Sequence, residues 1–141
     1  MPEFDAALLS SNDQYKLLVG AVTPRPIALV STIGRNGANA APFSFFNTIG
    51  APPPMLMFSA GHGESGAKDT VANIMENQEF VVHIVSHEIR DRMNVCAIAY
   101  PHGINEIEKA GFTTAPSRKV KPPRIVEAPI AMECRLMQRL E

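Results

Sequence analysis

A chain of 141 residues, with 13 basic and 14 acidic side chains and a net charge of −1, has the size of one domain and lacks the positive excess of a general nucleic-acid binder. No apolar run approaches the ~18 residues of a membrane span, and the opening MPEFDAALLSSNDQ has acids but no basic n-region, which argues against a secretory leader. Cys96 and Cys134 show no C-x-x-C or Cys/His ligand spacing, so two reduced thiols in a cytoplasmic protein are expected, not a disulfide or a metal site.

The opening segment to about Val22 predicts a short helix whose apolar part is Tyr15, Leu17, Leu18 and Val19. TPRP at 23–26 stops it, because proline has no N–H to donate and restricts its predecessor. IALVSTI (27–33), the turn GRNG (34–37) and the run ANAAPFSFFNTI (38–49) read as a hairpin of two strands. GAPPP (50–54) closes that run, and MLMFSA (55–60) reads as a third strand. A helix follows from roughly Asp69 to Asn77, with Val71, Ile74 and Met75 as its buried stripe. EFVVHIVS (79–86) is a fourth strand, HEIRDRMNVCAIA (87–99) a second helix and INEIEKAG (104–111) a third, ended by glycine. SRKVKPPRIVEAP (117–129) is a basic connector, and IAMECRLMQRLE (130–141) alternates like a last strand. That strand meets no turn or cap, so either another chain covers its edge or the domain continues.

Between the third strand and the first long helix, Gly61, Gly63 and Gly66 spell G-x-G-x-x-G. A dinucleotide turn would place an acid about 20 residues on, and Glu88 is suitably spaced, yet a doubly wound sheet needs more than this one α/β unit. A Walker loop fails outright, because Ala67 separates Gly66 from Lys68 and Asp69 follows that lysine. Two readings remain. Lys68 and Thr70 open a helix whose N–H groups favour an anion, or Asp69 or Thr70 is an ordinary N-cap beside a surface loop.

Ser44, Asn47 and Thr48 alternate with Phe43, Phe45 and Phe46. A flavin ring needs apolar contact on its faces and hydrogen bonds along its polar edge, which such a strand offers. The plainer alternative is that the phenylalanines are core. Of the histidines, His62, His83, His87 and His102 have no metal-ligand spacing, and His83, inside a strand, reads as packed or hydrogen-bonded.

Taken together, TPRPIALVSTIGRNGANAAPFSFFN (23–47), PPPMLMFS (52–59), KDTVANI (68–74), EFVVHIVS (79–86) and VKPPRIVEAPIAMEC (120–134) resemble the flavin reductase-like, FMN-binding split-barrel family. The resemblance covers about residues 15–140 in order. It implies a single, mainly β domain over 1–141: a six-stranded antiparallel Greek-key split barrel with a few short helices, usually a homodimer with one FMN near each subunit interface. Ser44, Phe45, Phe46 and Asn47 would meet the isoalloxazine and ribityl groups, and Ser59, Lys68 and Thr70 the phosphate. Arg25 and the Arg118–Lys119 pair are further basic candidates, although a solvated surface accounts for them equally. Relatives normally continue past the position of Leu140-Glu141 with a glycine, an aspartate, a histidine and further strands, so a domain cut short at its C-terminal end is expected.

The implied activity is hydride transfer from NADH or NADPH to flavin. It needs orientation more than acid–base side chains, so binding residues are named and no catalytic ones. A donor near flavin N5 or O4, such as Ser44, Asn47 or a backbone N–H, would favour the reduced anion. The alternatives are a non-catalytic FMN carrier passing electrons to a partner such as a monooxygenase, and a Rossmann-type module without flavin.

Overall fold

The computed structural model describes residues 3–61 and 68–140, so Gly63, Gly66 and His62 of the glycine loop lie outside the described residues. Its centre is β1 (Ala28–Gly34), whose side chains are small or apolar enough to be buried on both faces. A two-residue turn, with Gly37 at the positive φ of 102° that favours glycine, returns the chain into β2 (Gly37–Phe43). On the other side β1 pairs with β5 (Glu79–Ile84), and β5 with β8 (Ala131–Arg135), giving the order β2-β1-β5-β8. Every strand pair among the described residues is antiparallel, which overturns the Rossmann alternative, since that fold requires parallel neighbours.

Alternation sends side chains to two cores. Ala28, Val30, Phe80 and Val82 join Phe43, Phe46 and Ile74 on one face, with Met132, Cys134 and Leu136 packed against them as the alternation at the C-terminal end predicts. Leu29 and Ala40 join Ile89, Met93, Cys96, Ile107, Phe112 and Ile125 on the other. The first face is covered by α2 (Asp69–Asn77), the second by α3 (Arg90–Val95) and α4 (Glu106–Lys109). The N-terminal helix, α1 (Ser11–Ala21), has no buried residue, and its Tyr15, Leu17 and Leu18 are exposed. Among the described residues no helix is long and apolar enough to cross a membrane.

Several expectations are revised. The 38–49 run is two strands, because the chain bends at Ser44-Phe45 out of the large sheet and enters β3 (Phe46–Gly50), which pairs with β4 (Met55–Phe58). The connector holds β7 (Arg124–Ile125), paired with β6 (Thr114–Ala115). The described residues thus form eight strands in three sheets, against the six of one barrel that were expected. The 87–99 helix is a 3₁₀ turn, His87–Ile89, followed by α3.

In α2 the buried face is not the expected Val71–Ile74–Met75 stripe. Thr70 and Ile74 are buried while Met75 is 43% exposed. The face follows Thr70, Asn73, Ile74 and Asn77 at i, i+3, i+4 and i+7, because β1 offers partners to the two amides. Asn73 Nδ2 donates to Thr32 Oγ1 at 3.0 Å, and Asn77 Nδ2 to the Ile33 carbonyl at 2.7 Å.

Gly34 belongs to the same contact. A Cβ there would come within 1.9 Å of Asn73 Oδ1, so Gly34→Ala expels the Asn73 side chain from Thr32. A loss of about 1–3 kcal/mol in urea unfolding is expected. Burial, opposed weakly by Arg92 and reinforced by Glu106, pushes the Cys96 thiol up to about 12. Native protein therefore leaves Cys96 unmodified by a thiol reagent at mildly alkaline pH, and unfolding in denaturant exposes it to reaction; mass spectrometry of the labelled peptide checks both.

Candidate functional site

The site is assembled where β2 leaves the large sheet. Across the corner from Phe43 to Asn47, side chains divide between inside and outside. Phe43 and Phe46 enter the core, where the Phe43 ring packs at a tilt of 37° against Phe58 with centroids 4.9 Å apart and Phe58 meets Phe80 edge-on at 5.7 Å. Ser44 is half-buried, and Phe45 (37% exposed) and Asn47 face outward. Phe46, expected along a flavin, is thus a core ring that fixes the backbone between two outward residues. Asn47 pairs with Met57 across the β3–β4 ladder, and its Oδ1 accepts the Thr48 N–H at 2.8 Å.

Ser59 follows β4 directly. Its N–H donates to the Phe45 carbonyl at 2.9 Å, which brings the exposed Ser59 hydroxyl to the same corner. Phe45 is walled from the N-terminal side. The Tyr15 ring meets it edge-on at 6.1 Å, and the Arg25 guanidinium lies 5.7 Å from its centroid. Arg25 in turn donates from Nη1 to the Val19 carbonyl at 2.8 Å and to that of Val22, closing the C-terminal end of α1, while its Nε is buried without a hydrogen-bond partner among the described residues.

Lys68 is the N-cap residue of α2 and makes no side-chain cap. Its ammonium lies 5.3 Å from the Phe43 ring centroid, next in sequence to Ser44. The start of an amphipathic helix and the aromatic corner therefore meet. Thr70 is brought in differently, being only 1% exposed, with its hydroxyl donating inward to Asn39 Oδ1 at 3.4 Å. Arg118 and Lys119 are elsewhere in role: their N–H groups bind the Glu133 carboxylate, which fixes the basic connector onto β8.

Residues that sequence reading passed over sit behind this helix start. Asn39 Nδ2 donates to Glu106 Oε2 at 2.9 Å, and both side chains are buried. Burial, reinforced by the charge of Asp69, pushes the Glu106 carboxyl above its usual range, against the hydrogen bonds it receives. On the solvent side the Asp69 carboxylate is engaged by His102 Nδ1. Asn39 was legible as a polar residue interrupting an apolar strand, whereas Glu106 belongs to a short helix with no such contrast.

The donor set fits a mononucleotide. An uncapped helix start beside a lysine suits a phosphate, and an exposed aromatic ring with a hydroxyl and an amide within one corner suits a heterocycle with a polar edge.

Comparison with known proteins bears on the same residues. The family model described as "Flavin reductase like domain" matches residues 19–141. An uncharacterized protein of Aquifex aeolicus is 45% identical over 136 residues, which are 95% of this chain and 69% of that protein. Among solved structures, nitrilotriacetate monooxygenase component B from Bacillus cereus is 37% identical with a TM-score of 0.94, covering 98% of this chain and 69% of that one. A Pseudomonas fluorescens 2-nitrobenzoate 2-nitroreductase is 40% identical with a TM-score of 0.87, covering 97% and 66%. The fold alone is shared with a Shewanella frigidimarina protein with a split barrel domain, 18% identical at a TM-score of 0.81, covering 98% and 70%. The chain thus spans about two thirds of the length of these proteins. With the matched region running through β1, the aromatic corner, α2 and β8, the chain belongs to the flavin reductase-like split-barrel family.

Proposed function

We propose that this chain carries the flavin site of an FMN-dependent oxidoreductase that takes hydride from NADH or NADPH. The observation that carries the reading is the meeting of Lys68, at an uncapped helix start, with the Phe43–Asn47 corner. Bound FMN would supply a ring that accepts hydride and passes electrons on. The chain's own residues bind and orient. Phe45 offers an apolar face, Ser44 and Asn47 offer hydrogen bonds to the polar edge, and Phe46 holds the corner's backbone from inside. Ser59, Lys68 and the first N–H groups of α2, including that of Thr70, take the phosphate. No general acid or base is assigned. A Greek-key barrel closure, the homodimer and the cytoplasmic location belong to this proposal too; the exposed apolar residues of α1 and β3–β4 favour a covered face, and the two free thiols favour a reducing compartment.

Titrating purified protein with FMN should shift the flavin's visible spectrum and quench its fluorescence. Protein that never retains flavin would remove the reading. A second reading, an FMN carrier that serves a partner such as a monooxygenase, is favoured by the likeness to a monooxygenase component. Anaerobic NADH and NADPH oxidation separates the two, since the carrier binds flavin and ignores both nucleotides.

A further inference from the structure

Thr70 carries a hydroxyl at the second position of the helix that begins beside Lys68, yet that hydroxyl cannot reach a ligand in solvent, because the side chain is almost completely buried. Its partner is Asn39 on β2. Asn39 uses both ends of its amide. A carboxylate only accepts, so Nδ2 faces Glu106 Oε2 at 2.9 Å and Oδ1 is left to accept from Thr70 at 3.4 Å. Glu106 is the first residue of α4, which Asn105 caps and the fully buried Ile107 anchors in the second core. The buried amide therefore joins α4, β2 and α2, from opposite faces of the large sheet.

The rest of α2 is restrained independently, through Asn73 to Thr32 and Asn77 to Ile33. Among the described residues, Thr70 alone ties the first turn to a strand by a side-chain hydrogen bond, Asp69 being engaged by the exposed His102 outside the sheet, and that turn presents the N–H groups and the lysine. We propose that Asn39, held by Glu106, is a positioning residue that sets the first turn of α2 and with it the phosphate end of the flavin site. This rests on the FMN reading above and deepens it: neither residue touches the ligand, and both act through Thr70. A site built on charge placement loses affinity when its supporting shell loosens, even with all ligand-contacting groups present.

The test compares FMN with riboflavin, which lacks the phosphate, by fluorescence quenching of the purified chain. Asn39→Ala should weaken FMN about tenfold while riboflavin changes less than about twofold, the size expected for one lost hydrogen bond acting at one end of the ligand. Glu106→Gln still accepts from Asn39 and should stay within about threefold of wild type, whereas Glu106→Leu should match Asn39→Ala. Lys68→Ala should cost less in the Asn39→Ala background than in wild type, since a lysine on a loosened turn has less to lose. Equal losses of FMN and riboflavin, no loss, or costs that multiply independently would overturn the proposal. If Asn39→Ala does not fold by circular dichroism, Thr70→Val, which keeps the shape and removes the hydroxyl, carries the same expectations. A wild-type chain that binds FMN no better than riboflavin sinks the phosphate reading itself, a result distinct from any variant's behaviour.

Discussion

Replacing His83 with leucine is expected to remove about 3 kcal/mol or more of folding stability, and to remove the loss of stability that this histidine causes in mild acid. His83 is fully buried in β5 and works at both ring nitrogens. Nε2 accepts the Ile125 N–H at 2.9 Å, so Nδ1 carries the proton and donates to the Leu29 carbonyl at 2.9 Å. Leucine fills the space but leaves a buried donor and a buried acceptor unmatched, each costing about 1–3 kcal/mol.

Burial, against the Leu29 hydrogen bond and with help from the Arg124 charge, holds the His83 pKa below its ordinary 6.5. Between the lowered folded value and 6.5, the unfolded chain takes up a proton that the folded chain refuses. This contribution is therefore full above 6.5 and drains away as pH falls below it. Glu133, held low by the Arg118 N–H and, against its slight burial, by that of Lys119, acts only in the more acidic carboxylate range. Urea midpoints should fall from about pH 7.5 to about pH 5 in wild type, and the fall should be lost or reversed in His83→Leu, where the raised Glu106 carboxyl, whose protonation favours the folded state, is left to act in that range. A pH trend that His83→Leu leaves unchanged would refute the assignment.

Lys68→Glu should weaken FMN by about a hundredfold or more and leave riboflavin nearly untouched, because it replaces a charge-assisted contact with like-charge repulsion at an uncapped helix start. The effect should shrink as salt is raised, since Lys68 is solvent-exposed. Parallel losses for both flavins would mean that the substitution disturbs the aromatic corner through Phe43, 5.3 Å from the ammonium, and that the lysine is no phosphate ligand.

Much of this was readable from residue patterns. The helix Asp69–Asn77 has the expected bounds because Gln78, in the left-handed region, ends it and a lysine-led start begins it. β1 and β5 followed from short runs rich in β-branched and apolar residues, and His83 from its place inside one of them. What failed did so for tertiary reasons. The 38–49 run has no glycine and no turn pair at Ser44-Phe45, and the adjacent Phe45 and Phe46 are the one local break in alternation there; Phe46 changes sheets because Phe58 and the first core await it. Thr70 opens the helix beside Lys68, and nothing local shows that its hydroxyl turns inward and leaves its N–H as the group offered outward. Its orientation is fixed instead by Asn39, 31 residues earlier in the chain. Met75 was assigned inward on hydrophobicity, but the amides of Asn73 and Asn77 found partners on β1 and turned the helix the other way.

The corner at Phe43–Asn47 leaves no loop between the hydrophobic interior and the outward residues: neighbouring positions on one short stretch serve each in turn. If the corner binds flavin as proposed, ligand occupancy and thermal resistance are coupled quantities in this protein. Saturation there should raise the melting temperature, and trimming an inner ring such as Phe58 should lower heat tolerance while shortening the ligand's residence time. Evolution could not retune the electronic surroundings at this corner without also passing a test of packing.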